Sequence, residues 1–281
     1  MSTAPGTLYL VATPIGNLGD ITERALATLR GVSHLAAEDT RRTRGLLSHF
    51  GIGGKELHAL DANASERAVA RVVALLREGS DVAFVTDAGT PGVSDPGRAL
   101  VNAAAAAGVP ISALPGASAV TTAVALSGLV AGPFLFLGFL PRQGSGRKEL
   151  LERVARETLP VLLFEAPHRM QATLLELAAA CPERPAAICR ELTKLHEEVL
   201  RGSLGELGAA EREWRGEIVI VLGEAAPLPV AGSSDAELRE RARALLAGGA
   251  SVRAIADHLS EISGRARREV YALVLDEKAR V

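Results

Sequence analysis

Short apolar runs alternate with amphipathic helical patterns over most of the chain. Helical patterns such as Ser65–Glu78 place apolar residues on one face, with Ser65 as the N-cap and Gly79 just past the helix. Apolar runs that favour strands lie between them, and this alternation predicts a mostly parallel sheet covered on both faces. In the second half the runs follow at a shorter, hairpin-like spacing, which predicts a mixed sheet. The predicted strands are Thr7–Thr13, His34–Asp39, Glu56–Leu60, Val82–Asp87, Ile111–Pro115, Phe134–Leu140, Val161–Glu165, Ala186–Leu192, Glu198–Leu204 and Glu217–Leu222.

The pattern changes after the last predicted strand. Gly223–Ser234 is rich in proline, glycine, alanine and serine, a composition typical of a linker. Beyond it the apolar spacing is helical, over Asp235–Ala247, Ser251–Ser260 and Ser263–Arg280. The serines that open the last two patterns are predicted N-caps. We therefore expect an α/β protein that ends in a small helical bundle.

Composition narrows the class of protein. Of 281 residues, 48% are hydrophobic and 23% are charged, which is globular rather than disordered composition. The net charge of −2 means that contacts with nucleic acid have to come from local basic patches. Cys181 and Cys189 form no CxxC pair and are expected to be thiols in a reducing cytoplasm. The first residues lack a signal-peptide pattern, and glycines and prolines break the charge-free stretch between Arg98 and Arg142 into pieces too short to span a membrane.

Small-residue turns follow three of the predicted strands. Val85–Gly97 (VTDAGTPGVSDPG) joins a buried strand to a helix, where small residues let a ligand approach the backbone. It lacks the GxGxxG spacing of a dinucleotide site, and a purely structural turn is the alternative. Leu114–Ala119 is a second such junction, at which Ser118 is either a helix N-terminal residue or part of a ligand-facing turn. The second glycine of a hydrolase elbow is absent there. The third turn is Thr13–Asp20.

Three basic segments are candidates for contact with phosphates. Glu38–Arg44 places arginines at the end of a strand, Pro141–Arg156 has five basic residues against two acids, and Ser263–Arg268 opens a predicted helix. A solvated helix face, an ordinary charged helix and a bundle that only caps a dimer are the respective alternatives. The predicted RNA-binding residues are Arg41, Arg42, Arg44, Arg142, Arg147, Lys148, Arg265, Arg267 and Arg268.

Seven motifs in order resemble one family of enzymes. They are LYLVATPIGNLGD, AEDTRRT, VTDAGTPGVSDPG, LPGASA, FLGFLPR, EAPHR and RELTK. The series covers about residues 7 to 225 and is similar to the ribosomal RNA small-subunit methyltransferase I family, within the tetrapyrrole-methylase-like group. The resemblance implies an S-adenosylmethionine-dependent enzyme that methylates the ribose 2′-hydroxyl of a cytidine in 16S RNA, either free or in the assembled small subunit.

The resemblance also implies an architecture. It implies a homodimer in which S-adenosylmethionine lies in the cleft between two α/β domains. The expected divisions are an N-terminal α/β domain over 1–116, a second α/β domain over 117–225, a linker over 226–234 and a helical, RNA-binding-like domain over 235–281. By motif position, the implied cofactor-binding residues are Pro14, Asp87, Ala88, Gly89, Thr90, Val93 and Ser94, with Ser118 and Ala119 opposite.

Methyl transfer from a sulfonium needs alignment and a way to remove the proton of the ribose hydroxyl. A general base, or a cation that stabilises the developing alkoxide, supplies the second requirement. No metal is required, and the histidines show no ligand spacing such as HExxH. The candidate bases are Glu38, Asp39, Glu165 and His168, and the candidate cations are Arg169 and Lys194.

Two other functions remain open. A tetrapyrrole methyltransferase of the same fold would have a large apolar acceptor cleft and no use for the arginines after the second strand. That branch typically carries a GDPxxYG-like turn where this chain has Gly89–Ser94, and the EDTRRT and EAPHR segments resemble the RNA-modifying branch. A non-catalytic RNA-binding assembly factor would bind RNA without binding the cofactor.

Overall fold

The computed structural model describes residues 4–61, 64–93, 97–225 and 234–280, which form two five-stranded sheets and a helical bundle. All ten predicted strands are present, and each begins and ends within two residues of the predicted position. The predicted α/β class with C-terminal helices is therefore confirmed.

The first sheet is parallel throughout and has the order β3-β2-β4-β1-β5. Its strands are β1 (Leu8–Val11), β2 (His34–Ala37), β3 (Glu56–Ala59), β4 (Val82–Val85) and β5 (Ile111–Leu114). A 3₁₀ turn at Leu18–Asp20 follows β1, and the connecting helices are α1 (Glu23–Gly31), α2 (Thr40–His49), α3 (Glu66–Arg77) and α4 (Gly97–Ala106). Apolar side chains of α1 and α2 pack on one face of the sheet, and those of α3 and α4 pack on the other.

The second sheet is mixed, as its spacing predicted, with the order β6-β7-β10-β8-β9. Its strands are β6 (Leu135–Phe139), β7 (Val161–Glu165), β8 (Pro185–Arg190), β9 (Glu198–Ser203) and β10 (Ile218–Leu222). Only the β6–β7 pair is parallel. The accompanying helices are α5 (Ala119–Ser127), α6 (Ser145–Arg156), α7 (Pro167–Ala180) and α8 (Leu204–Ala209).

One apolar cluster joins the loops of the first sheet to the second sheet. Val120 and Ala123 of α5 pack against strands β7, β8 and β10, and Ile15 and Val93 join the same cluster. The other face of the second sheet is covered by α6, α7 and α8. The turns that follow β1 and β4 are therefore held directly against the second sheet.

The C-terminal bundle consists of α9 (Asp235–Ala247), α10 (Val252–Ser263) and α11 (Arg267–Lys278). Ser234 and Ser251 cap the first two helices, the second as predicted. The predicted N-cap at Ser263 is wrong, because Ser263 is the last residue of α10 and its hydroxyl donates to the carbonyl oxygen of Leu259. Gly264, with a φ of +66°, ends α10 in the left-handed conformation that favours glycine. Most of the predicted linker, residues 226–233, lies outside the described residues.

Both cysteines are free thiols, as predicted. Burial raises the pKa of Cys189 to about 11, so this thiol stays protonated at neutral pH. Within the described residues, none of the helices has the length and apolarity needed to cross a lipid bilayer.

Candidate active site

A cleft lies between the carboxyl ends of the first sheet's strands and the second sheet. Its larger part, here called the main cleft, has a volume of about 430 Å³, and the adjoining side pocket has about 310 Å³. The carboxyl edge of a parallel sheet is where ligands bind, because the loops that leave the strands there are free to vary. The main cleft is lined by Ile15, Glu38, Arg42, Asp87, Ala88, Ala119, Phe139, Phe164, Glu165, Ala166, Pro167, Leu192, Gly216, Glu217, Ile218 and Val219. The side pocket shares Ile15, Arg42, Asp87 and Glu217 and adds Pro14, Gly16 and Lys194, among others.

Three of the turns that were singled out in the sequence are tied together at the cleft. Gly89 has a φ of +88°, and a Cβ there would lie 2.6 Å from Ile15 Cγ2 and 2.7 Å from the carbonyl oxygen of Ala117. The backbone N–H of Thr13 donates to the Gly89 carbonyl at 3.1 Å, and the hydroxyl of Thr90 donates to the Ala117 carbonyl at 2.9 Å. Only glycine fits at position 89, so the turn conformation depends on this residue.

The predicted cofactor residues are placed as follows. Asp87, Ala88 and Ala119 line the main cleft, and Pro14 lines the side pocket with Asp87. Val93 packs into the apolar cluster of the second sheet. Ser118 is the N-cap residue of α5, yet its side chain makes no capping hydrogen bond. Ser94 lies outside the described residues.

Carboxylates form one wall of the main cleft. The Thr86 hydroxyl donates to Glu38 Oε2 at 2.6 Å, and the backbone N–H of Asp87 lies 3.4 Å from the same oxygen. Burial raises the pKa of Asp87, while Arg42, whose Nε is 3.4 Å from Asp87 Oδ2, opposes the shift. Glu38 and Asp87 therefore present negative charge to the cleft beside one arginine.

Asp39, the neighbour of Glu38, serves as the N-cap of α2. Its carboxylate caps α2 and accepts hydrogen bonds from the backbone N–H groups of Arg41 at 2.8 Å and Arg42 at 3.2 Å. These hydrogen bonds lower the pKa of Asp39, which makes it a weaker base.

Glu165 and His168 lie on the second-sheet side of the cleft. Glu165 is buried at the end of β7, and its oxygens accept from the Thr173 hydroxyl at 2.7 Å and from the Ala166 N–H at 2.8 Å. Its Oε1 also lies 2.5 Å from Arg169 Nη2. Both oxygens of Glu165 therefore hold β7 to α7, and Glu165 balances the positive charge of Arg169. His168 is exposed on α7 and lines neither part of the cleft.

Lys194 bridges two carboxylates at the side pocket. Its Nζ lies 2.8 Å from Glu191 Oε1 and 3.1 Å from Glu217 Oε2. Partial burial opposes the charge of Lys194, but these hydrogen bonds raise its pKa overall, so the side chain is a cation at neutral pH. A Cβ on Gly16 would lie 2.3 Å from Lys194 Cγ, which shows how closely the turn after β1 approaches this segment.

The segment that carries Lys194 has an unusual backbone. Glu191 and Thr193 adopt φ values of +52° and +65°, in a region that costs non-glycine residues about 1–3 kcal/mol each. Among the described residues, the Thr193 hydroxyl is buried without a hydrogen-bond partner. In the sequence, RELTK indicates only a family resemblance, and Glu191 and Glu217 were not predicted as site residues. Glu217 could have been predicted, because it is a charged residue at the start of an otherwise apolar predicted strand.

The predicted RNA-binding residues differ in availability. Arg42 lines both parts of the cleft, and Arg41 and Arg44 are exposed on the same helix. On α6, Lys148 is exposed, whereas Arg147 pairs with Glu176 at 2.5 Å. Arg142 is exposed just before α6. In the bundle, Arg265 pairs with Asp235 and Arg267 pairs with Asp257, while Arg268 is exposed.

Comparison with known proteins supports the family resemblance that the ordered motifs indicated. The family profile for tetrapyrrole (corrin/porphyrin) methylases matches residues 7–208. Ribosomal RNA small subunit methyltransferase I of Synechocystis sp. is 42% identical, over 98% of this chain and 99% of that protein. The protein of the same name from Micromonospora olivasterospora is 45% identical, over 96% of this chain and 86% of that protein. The one from Thermotoga maritima is 43% identical, and the match spans 98% of that protein but only 77% of this chain.

Solved structures share the fold at low sequence identity. The methyltransferase CobJ has a TM-score of 0.60 at 22% identity, over 79% of this chain and 95% of its own. Uroporphyrin-III C-methyltransferase from Thermus thermophilus, complexed with S-adenyl homocysteine, has a TM-score of 0.56 at 20% identity, over 78% and 98%. The chain belongs to the tetrapyrrole methylase family and, within it, to the ribosomal RNA small subunit methyltransferase I family.

Proposed function

We propose that the protein transfers a methyl group from S-adenosylmethionine to the ribose 2′-hydroxyl of a cytidine in small-subunit ribosomal RNA. The observation that carries the proposal is the match, over nearly the whole chain, to relatives named ribosomal RNA small subunit methyltransferase I. The proposal includes a cytoplasmic homodimer with α/β domains over 1–116 and 117–225.

The main cleft suits the cofactor in size and in charge. Its volume of about 430 Å³ falls within the range of about 300–1,000 Å³ that is usual for small-molecule sites. Ala88 and Ala119 contribute only small side chains to the lining, and the carboxylates of Glu38 and Asp87 favour a ligand that carries positive charge. The residues that would hold S-adenosylmethionine are Pro14, Asp87, Ala88, Gly89, Thr90, Ser118 and Ala119, with Val93 and Ser94 following along the chain. When bound, it supplies a methyl group that is already activated by the sulfonium charge.

Among the candidate bases, Glu38 is the best placed. Asp39 caps a helix, Glu165 is bound on both oxygens, and His168 lies off the cleft, whereas Glu38 faces the main cleft with a single strong hydrogen bond from Thr86. A carboxylate in this position takes the proton of the ribose hydroxyl. Lys194 is the other candidate cation at the cleft, but Glu191 and Glu217 already balance its charge, as Glu165 does for Arg169, so the proposal does not rest on a cationic stabiliser.

Arginines near the cleft are suited to hold the RNA backbone. Arg42 reaches the cleft, and Arg41 and Arg44 continue the positive charge along α2. Arg142 and Lys148 are exposed on the second half and provide another contact with phosphates. In the bundle, Arg268 carries the contact, because Arg265 and Arg267 are held in ion pairs.

The test is methyl transfer from labelled S-adenosylmethionine to undermethylated small subunits and to free 16S RNA, with precorrin-type tetrapyrroles in parallel. The label should appear in a 2′-O-methylated cytidine when the RNA is digested with nucleases and mapped. Label that appears only in a tetrapyrrole would overturn the substrate. RNA binding without measurable cofactor affinity would favour the non-catalytic assembly factor instead.

A further inference from the structure

Two histidines and a glutamate converge at the amino edge of the first sheet. His34 begins β2 and pairs directly with Glu56, which begins β3, and His58 lies two residues further along β3. Direct partners, and residues two apart on one strand, share a face of the sheet, so all three side chains project to the same side. His34 Nδ1 lies 3.4 Å from His58 Nε2. Glu56 places Oε2 at 3.5 Å from His34 Nδ1 and Oε1 at 3.7 Å from His58 Nε2.

These separations match the ligand shell of a tetrahedral metal ion. Zinc binds histidine nitrogen and carboxylate oxygen at about 2.0–2.2 Å, so two ligand atoms on one tetrahedral ion lie about 3.3–3.6 Å apart. The two histidine nitrogens lie 3.4 Å apart, which is within that range. Each nitrogen has a different oxygen of Glu56 beside it, at 3.5 Å from His34 and 3.7 Å from His58, so each of these contacts also lies within about 0.1 Å of the range. One donor atom from each residue lies within 4.8 Å of the others, so the ion requires only small rotations of the side chains.

The surroundings leave room for a further ligand. The His34 and His58 side chains are 18% and 7% exposed, which fixes them in the sheet, whereas Glu56 is 57% exposed on the solvent side. Arg71 of α3 is the nearby cation, with Nη2 at 3.9 Å from Glu56 Oε1, but its side chain is largely exposed and free to turn away. A water molecule from the open side can complete four-coordination.

Nitrogen donors exclude the ions that prefer only oxygen. Calcium and magnesium take carboxylate, carbonyl and water oxygens, whereas imidazole suits zinc and its first-row neighbours. We propose that His34, Glu56 and His58 bind one zinc ion, with water as the fourth ligand.

The position of the site indicates a structural role. β3 is one of the two edge strands of the first sheet and is hydrogen-bonded only to β2, so the ion would hold this edge strand to its single neighbour. Glu38 follows the opposite end of β2, about 13 Å away at ~3.3 Å per residue. The zinc site is therefore separate from the methyl-transfer cleft, and its test does not depend on the proposed function.

Zinc affinity of the full-length protein tests the proposal directly. The protein, without a polyhistidine tag, is stripped with a chelator and titrated with zinc chloride in competition with a chromophoric chelator. Cobalt(II) is titrated in parallel, because its absorption bands distinguish tetrahedral from octahedral coordination. We expect one equivalent of zinc, a tetrahedral cobalt spectrum, and a rise in the melting temperature on adding zinc.

Variants of the ligands locate the bound ion. Glu56→Gln changes an exposed side chain and should fold normally, and the double variant H34Q/H58Q removes both nitrogens. Each variant should bind zinc at least about tenfold more weakly. Residues that only hydrogen-bond to a metal ligand already contribute about 10–100-fold to metal affinity, and the ligands themselves contribute at least as much. His258→Gln, an exposed histidine on α10, is the matched control and should bind zinc as the unchanged protein does.

Three results would overturn the proposal. They are the absence of stoichiometric zinc binding, zinc affinity that is unchanged in both ligand variants, and an octahedral cobalt spectrum. In the first case the two histidines and the glutamate form only a hydrogen-bonded pair with an adjacent carboxylate.

Discussion

Replacement of Gly89 by alanine tests whether the turn after β4 forms the cofactor site. At a φ of +88° a side chain is strained by about 1–2 kcal/mol. The added Cβ would also meet Ile15 Cγ2 at 2.6 Å and the Ala117 carbonyl oxygen at 2.7 Å. The isoleucine methyl can move, but the carbonyl belongs to the turn before α5 and accepts the Thr90 hydrogen bond. Overpacking of this kind costs about 1–3 kcal/mol more.

The combined cost, about 2–5 kcal/mol, can appear in either of two measurements. If the turn keeps its conformation, the protein loses stability; if the turn shifts to relieve the contact, the cofactor loses affinity instead. A shift of the peptide by a few tenths of an ångström is the easier response, because Gly89 is buried but its neighbours Ala88 and Thr90 are only partly buried. We therefore expect at least a tenfold weaker affinity, which corresponds to about 1.4 kcal/mol, with the remainder appearing as lower stability.

Gly92 provides the matched control within the same turn. Its φ is +92°, yet a Cβ there would meet nothing within 4 Å. Gly92→Ala therefore carries the backbone strain of Gly89→Ala without its steric contacts. We expect only a small loss of affinity from this variant.

Calorimetric titration with S-adenosylmethionine, together with urea unfolding, separates the two effects. A Gly89→Ala protein that stays folded and binds the cofactor as tightly as the unchanged protein would show that this turn does not form the cofactor site. An equal loss of affinity in both glycine variants would show that backbone strain alone, and not the contacts at Gly89, causes the loss.

Three further predictions follow from the site and the bundle. Glu38→Gln should lower the single-turnover rate of methyl transfer at saturating S-adenosylmethionine by about 100-fold or more, beyond any loss of cofactor affinity from the removed charge, whereas an unchanged saturated rate would exclude Glu38 as the base. Hydrogen bonds from Arg243 and Arg239 lower the pKa of Glu277 from 4.5 to about 2. Its stabilisation of the bundle is present above pH 4.5 and is lost as the pH falls towards 2, so unfolding by urea between pH 2 and 6 should show a steeper pH dependence in the unchanged protein than in Glu277→Gln. Deletion of Asp235–Val281 should leave cofactor affinity unchanged and weaken RNA binding in a filter assay; full RNA affinity would restrict the bundle to a structural role.

The strands could be predicted from the sequence because each is a short apolar run bounded by turn residues. β4 (VAFV) is buried throughout and is the central strand of the parallel sheet, which is why its signal does not depend on its neighbours. The end of α10 was harder to predict from the sequence. Ser263 and Gly264 are compatible both with a new N-cap and with a left-handed helix end, and the choice depends on whether α10 can extend to reach Ser263.

The residues that line the cleft could be predicted where a motif places small residues directly after the end of a strand. Asp87, Ala88 and Ala119 fulfil this rule and line the cleft. Asp39 and Glu165 were chosen as bases because they are acids within motifs, yet one caps a helix and the other is buried against Arg169. Residue type and position in a motif do not reveal which hydrogen bonds a carboxylate already makes.

The missed residues depend on contacts between distant segments. Glu217 becomes part of the cleft only because it directly precedes β10, the central strand of the second sheet, and there meets Lys194. Likewise, His34 and Glu56 are 22 residues apart and face each other only because β2 and β3 pair in this particular register. A shift of one residue would turn His58 and Glu56 to the opposite face and separate both from His34. The small-residue turn after β4 is local in the sequence, so its composition could predict it, whereas the Lys194 bridge and the proposed zinc site depend on how distant segments come together in the fold.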